Sequence, residues 1–207
     1  VCVLSTPFFQ NLQFFFRAVF GKGAYNITIQ PKKERYTEMN RFSELPAAEW
    51  NPVFDRIGKD WMLISVSDGA RENVMTASWG GIGVVWNRPV AVCLIRPERF
   101  TFPLAEAAAR LALSFLPASR RDALTFCGRE SGRNHPDKFA AAGLTVLHDG
   151  EVPYPAEAET VLLCRKLYAS DLRADRFPDP EIPRACYRSG GLHRVYVCEI
   201  EKVLKKG

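Results

Sequence analysis

No C-x-x-C pair, no G-x-G-x-x-G fingerprint and no run of about twenty uninterrupted apolar residues occurs in this 207-residue sequence. Each absence excludes something. Without paired cysteines a zinc cluster is not expected, and five cysteines beyond residue 38 are an odd number for a disulfide framework. Cys93, Cys164 and Cys198 fall inside apolar runs, where a free thiol behaves as a small buried hydrophobe, so a reducing compartment such as the cytoplasm is expected. No dinucleotide fold of the Rossmann type and no membrane-spanning helix are indicated. Charge of one sign is scarce too. The formal net charge is +5, but residues 1–38 carry five Lys or Arg against two Glu. Only +2 is left for the rest, too little for a nucleic-acid footprint.

The first 38 residues differ in composition from the rest of the chain. They hold six of the fourteen phenylalanines, no acid before Glu34, and no initial methionine. A secretory signal lacks its basic start and small-residue cleavage site, and an organelle presequence has Arg17 as its only arginine before Arg35. The favoured expectation is a leader, disordered or translated from upstream sequence, ahead of a single domain at 39–207. No internal repeat or second domain is visible.

Within that domain, Trp61–Ser67 reads as a strand with Met62, Ile64 and Val66 on one face, and Asp68-Gly69 as a turn. The organising stretch is Asn73–Thr101. It reads as a strand carrying Thr76 and Ser78 on one face, a turn at Gly80, Gly81 and Gly83 between Trp79 and Trp86, a buried strand Pro89–Ile95, and a helix at 102–110 capped by Thr101. Trp86 is expected in the core. Further strands are expected at 111–116, 144–147, 160–168 and 193–203, with a helical turn at 120–127. Ser131-Gly132-Arg133 leads toward a short helix with Pro136 in its first turn and Gly143 at its end. Residues 171–189 read as a long proline-rich loop near the mouth of a site, with Arg184 or Arg188 free for a donor or partner. Many short strands and few short helices imply a mainly β protein, a closed or nearly closed antiparallel barrel.

Two groups of donors stand out. One is Thr76, Ser78, Arg96, Arg99 and Thr101; the other is Ser131, Gly132, Arg133 and Lys138. Hydroxyls, guanidiniums and glycine-exposed amides suit a phosphate, and the indoles suit a flat ring. Together they outline FMN.

The motifs N-x-M-T-x-S-W (73–79), I-R-P-x-R-x-T (95–101), C-G-x-x-S-G-R (127–133), D-K-F (137–139) and H-R-x-Y-V-x-E-I (193–200) resemble the flavin reductase-like, FMN-binding split-barrel family, in its flavoredoxin-like branch. The resemblance spans about residues 61–203. It implies an antiparallel split β-barrel with a few short helices, a homodimer, and noncovalent FMN. By motif, Asn73, Trp79, Thr101, Lys138 and His193 correspond to FMN contacts, and Met75, Thr76, Ala77 and Ser78 lie on the strand beside them. With the donors Arg96, Arg99, Ser131 and Gly132, these form the expected cofactor site, with no dedicated catalytic side chain and no metal. The implied function is an FMN-binding oxidoreductase fed by NAD(P)H or a protein donor. A redox-silent flavin sensor is the alternative from another class, and a pyridoxamine-phosphate-oxidase-like enzyme a third. Cys198 stands where the family carries glycine, and is expected to fill a core gap.

Overall fold

The computed structural model describes residues 51–207. The expected leader at 1–38, and the first residues of the domain, lie outside them. The described chain runs α1 (Val53–Gly58), β1 (Met62–Ser67), β2 (Glu72–Ala77), β3 (Gly80–Val85), β4 (Arg88–Ile95), α2 (Thr101–Ala107), β5 (Arg110–Phe115), α3 (Arg121–Arg129), α4 (Lys138–Ala141), β6 (Val146–Asp149), β7 (Val152–Pro155), β8 (Thr160–Asp171), α5 (Glu181–Cys186) and β9 (Arg194–Lys205). Short 3-10 turns sit at Ala118–Arg120 and Ala174–Arg176.

Seven strands form one antiparallel sheet in the order β2-β1-β5-β8-β9-β4-β3, and β6-β7 make a separate hairpin. The edge strands of the large sheet are consecutive in the chain. At about 4.8 Å between neighbours, a flat sheet of this size would hold them roughly 29 Å apart. Ser78 and Trp79 alone connect them, and a link of that length reaches about 10 Å. The sheet therefore curls until β2 and β3 approach, closing a barrel that hydrogen bonds do not seal. This is the expected split β-barrel.

Alternation along the strands builds two layers of core. Met62, Ile64 and Val66 of β1 join Met75, Ala91, Cys93, Ile95, Leu111, Leu113, Cys164, Tyr196 and Cys198 inside the barrel, with Leu104 and Ala105 of α2 packed among them. The opposite faces supply Leu63, Val74, Ala112, Val161 and Leu163, which α3, α4 and the small hairpin cover through Leu124, Cys127, Phe139, Leu144 and Val152. β1 and β5 are consequently buried on both faces. Cys198 is fully buried in the interior cluster, as expected of a gap filler. β8 is longer than its apolar run implies. It pairs with β5 only over Thr160–Arg165 but with β9 along its length, bending at irregularities after Leu163 and Lys166.

Several local expectations are corrected. The glycine stretch is not a turn but strand β3, paired with β4 from Gly80↔Cys93 to Val85↔Arg88. The turn is Trp86-Asn87, with φ of 53° and 56°, the doubly left-handed backbone of a two-residue hairpin. Trp86 is accordingly 58% exposed rather than in the core. Thr101 does not cap α2. It is the first helical residue, after Phe100, and α2 stops at Ala107 because Arg110 already belongs to β5. Asp137 caps α4 by accepting from the Ala140 amide at 3.0 Å, which places Pro136 before the helix. β7 and α5 were not expected; α5 lies within the supposed loop. No helix among the described residues is long and apolar enough to cross a membrane.

Gly80 has a specific reason to be glycine. A Cβ there would lie 2.4 Å from the Val92 carbonyl oxygen and 3.1 Å from Met62 Cε. Gly80→Ala should therefore cost about 2–3 kcal/mol, since the clash is with backbone. Gly83→Ala, where open space surrounds the site, should cost well under half of that by urea denaturation.

Candidate functional site

β2 has a partner on one side only, so its free edge offers backbone N–H and C=O groups in alternation. A cleft of about 670 Å³ runs along that edge. Met75, Thr76, Ala77, Ser78 and Trp79 all line it, consecutive residues from both faces of the strand. All thirteen expected site residues border this one cleft: those five with Asn73, Arg96, Arg99, Thr101, Ser131, Gly132, Lys138 and His193. Leu94, Glu98, Phe100, Arg129, Glu130, Arg133 and Ser189 complete the lining. Of these, only Arg133 stands out in the sequence.

One end of the cleft is cationic. Three side chains reach carbonyls of α3: Thr76 Oγ1 donates to Leu124 in mid-helix (2.5 Å), and Lys138 Nζ to Cys127 (2.9 Å) and Arg99 to Gly128 (2.9 Å) at its C-terminal end. Cations at a helix C-terminus are favourably placed, and these bonds hold them in position without neutralising them. Arg133 likewise donates to the Glu98 carbonyl at 3.3 Å, and Arg96 to the Cys186 carbonyl at 2.8 Å. Lys138 is only 3% exposed. Burial first, and then the Arg99 charge, pull its pKa below the usual lysine value. A buried ammonium with one carbonyl acceptor retains two protons for a further oxygen.

The middle of the cleft contains an unsatisfied acceptor. Asn73 Nδ2 donates to Thr101 Oγ1 at 2.7 Å, which is why Thr101 is buried. Asn73 Oδ1 is buried with no partner, a costly condition unless something binds there. Gly132 presses against the same group. A Cβ on it would meet Phe100 Cδ1 at 2.4 Å and Asn73 Oδ1 at 2.5 Å. The 131–133 loop can approach α2 only because residue 132 has no side chain.

The other end is aromatic. The rings of Trp79 and His193 lie 5.1 Å apart, those of Trp79 and Tyr187 6.3 Å, and Arg96 stacks over Tyr187 at 5.2 Å. Tyr187 Oη bonds His193 Nδ1 at 2.9 Å. Burial, reinforced by Arg96 and Arg99, pulls the His193 pKa down to about 4. The segment after β8 does reach the cleft, through Ser189, with Tyr187 packed behind Trp79 and His193, but not by the expected arginines. Arg184 is paired with Glu181 at 2.6 Å, and Arg188 donates to the Arg184 carbonyl. Tyr187 gives no signal in the sequence, because nothing in A-C-Y-R-S marks a buried tyrosine. Cys127 lies behind Lys138, and burial raises its thiol to about 11, which makes it a packing residue.

A split barrel with a cationic pocket and an aromatic wall along one cleft is suited to a flat ligand with an anionic group. Residues 54–206 match the family model of the flavin reductase like domain, and the chain belongs to the flavin reductase-like family. Membership carries the coarse function, a flavin-related oxidoreductase. Solved structures agree on the fold. Flavoredoxin from Methanosarcina acetivorans is similar at 16% identity and a TM-score of 0.56, over 71% of this chain and 68% of that one. An FMN-binding protein from Thermus thermophilus is similar at 21% identity and 0.55, over 70% and 71%. The NADH:FAD oxidoreductase SgcE6 of Streptomyces globisporus is similar at 17% identity and 0.55, over 79% and 88%. Among curated proteins none matches the chain.

The position of His193 has a consequence for stability. Its folded-state pKa lies below the ordinary 6.5, so between those values the unfolded chain binds the extra proton. Stability therefore falls as pH drops from 6.5 toward about 4. The stability difference between wild type and His193→Gln should be constant above that window and decline through it, followed by urea midpoints.

Proposed function

We propose that this protein is an FMN-dependent oxidoreductase of the flavin reductase type, taking electrons from NAD(P)H or a reduced protein donor and passing them to an acceptor. The observation that carries this reading is Lys138. An ammonium 3% exposed, held by one carbonyl beside an Arg99 that is likewise bonded to backbone, asks for an anion. The donors present fit FMN. Lys138, Arg99, Ser131 and the Gly132 amide would hold the phosphate. The orphaned Asn73 Oδ1 and the free edge of β2 would take the hydrogen-bonding rim of the ring, and Trp79 and His193 would wall it. A bound FMN supplies reversible two-electron chemistry that no side chain of the chain carries. The residues bind, orient and set charge; with His193 neutral and Cys127 buried, none is placed as a general acid or nucleophile.

The test separates phosphate from ring. Purified protein should release FMN rather than FAD on denaturation. Lys138→Met, which keeps the buried stem, should weaken FMN by about 1.5–3 kcal/mol while leaving riboflavin within about 0.5 kcal/mol. Equal losses for both flavins would make Lys138 a scaffold residue, and a protein that takes up no flavin would end the reading.

The same reading includes a homodimer. Its support is the edge strand β3 and the turn after it, with Ile82 42%, Val84 74% and Trp86 58% exposed. An apolar edge of this kind is normally covered, and a two-fold axis lets identical edges cover each other. Val84→Glu should halve the mass seen by light scattering. An unchanged mass, whether of monomer or dimer, would remove β3 from the interface.

A further inference from the structure

The segment between β8 and β9 is exposed nearly throughout, yet one of its side chains is driven inward. Tyr187, 8% exposed, packs against Trp79, Phe177 and His193 and lies under the Arg96 guanidinium. Arg96 in turn donates to the carbonyl of Cys186, the neighbouring residue, so the tyrosine is held from both sides. Its hydroxyl has one hydrogen-bond partner among the described residues, His193 Nδ1 at 2.9 Å. Two proton arrangements are open to such a pair. If Nδ1–H donated, the tyrosine O–H would be left without an acceptor in a largely buried place, losing a hydrogen bond. If the hydroxyl donates, its proton is satisfied by Nδ1, and the imidazole proton sits on Nε2, which has no partner among the described residues and is left for a ligand. The charged groups facing His193 point the same way: Arg96 and Arg99 oppose a third cation, and the single exposed carboxylate of Glu98 does not offset both.

Resting on the flavin reading above, we propose that Tyr187 is a positioning residue for the cleft: its hydroxyl donates to His193 Nδ1 and fixes the neutral tautomer protonated at Nε2. His193 then presents the ligand with an uncharged N–H donor instead of a cation. A neutral donor stabilises electron-rich oxygen and nitrogen atoms of a ring without adding a titration to binding. It also leaves the positive charge of the cleft to Lys138 and the arginines, the groups that face an anion. Burial, and after it Arg96, already hold His193 neutral, and a hydrogen bond donated to the imidazole nitrogen favours the same form.

The experiment is long-range proton–nitrogen NMR of the full chain, with and without FMN, for wild type and Tyr187→Phe. Wild type should show His193 protonated at Nε2 alone, and neutral well below the ordinary 6.5. Tyr187→Phe should mix the tautomers and move the midpoint up. Riboflavin, with no phosphate to titrate, then reports the consequence for the ligand. Its affinity in wild type should be flat from about pH 5 to about pH 8, and in Tyr187→Phe it should change about threefold or more across the new midpoint. Comparing the two proteins removes His135 and His148, which are common to both. An Nδ1-protonated His193 in wild type, or a titration and affinity profile indifferent to Tyr187→Phe, would overturn the proposal. The wild-type tautomer is decisive even if the variant folds poorly. Loss of flavin binding in wild type with the expected tautomer intact would sink the flavin reading while the Tyr187–His193 pair stood.

Discussion

The structure depends on one short connection. Ser78 and Trp79 join the two edge strands of a seven-stranded sheet, and their reach forces the sheet to close upon itself. They do not force β2 and β3 to hydrogen-bond, so closure leaves β2 with an unpaired edge. The cleft is that edge. Its floor consists of consecutive residues of β2, its cationic wall is the loop that follows α3, and its aromatic end begins at Trp79, in the link itself. Gly80 obeys the same constraint. The chain must turn into β3 directly against Val92, and any side chain would strike that carbonyl.

Electrostatics at the site follow from where α3 ends. Its final carbonyls collect Lys138 and Arg99, while Thr76 of β2 bonds the Leu124 carbonyl earlier in the helix. A carboxylate in their place would have neutralised the cations and paired them permanently. Carbonyls orient them without forming ion pairs, although the Glu130 carboxylate lines the same cleft and acts on Lys138. The surface ion pairs elsewhere, such as Arg88 and Arg165 with Glu199 or Lys202 with Asp149, lie along strands and on the hairpin. They contribute little to stability individually and none to the cleft.

Much of this was legible in the sequence because chemistry and periodicity coincided there. Met62, Ile64 and Val66 alternate as an inward face must, and the motifs at 73–79, 95–101, 127–133 and 193–200 carry hydroxyls and guanidiniums at spacings that the fold gathers into one cleft. What could not be read depended on contacts between distant residues. Three glycines looked like a turn because their conformational freedom was visible, while the Val92 carbonyl that requires Gly80 was not. Trp86-Asn87 lacks the glycine that usually marks a two-residue hairpin, so the real turn was hidden beside a false one. Thr101 had the composition of a cap, but its hydroxyl is taken by Asn73, 28 residues away. Arg184 and Arg188 looked available because their partners, Glu181 and a backbone carbonyl, are local and geometric.

The chemistry left to the protein is narrow, and that narrowness is informative. His193 is kept neutral, Cys127 is buried, and Lys138 and Arg99 are held on carbonyls, so none of these is placed as a nucleophile. A site of this kind can bind, orient and stabilise negative charge, and must import its reactivity. On the function proposed above, selectivity among electron donors would rest on what can enter at the Trp79 end. There the exposed indole, Glu98 and the residues around Tyr187 meet solvent. The segment between β8 and β9 is tied to this end of the cleft by the contacts of Tyr187 with Trp79 and His193. Changes in donor preference should map to this segment sooner than to the cationic pocket.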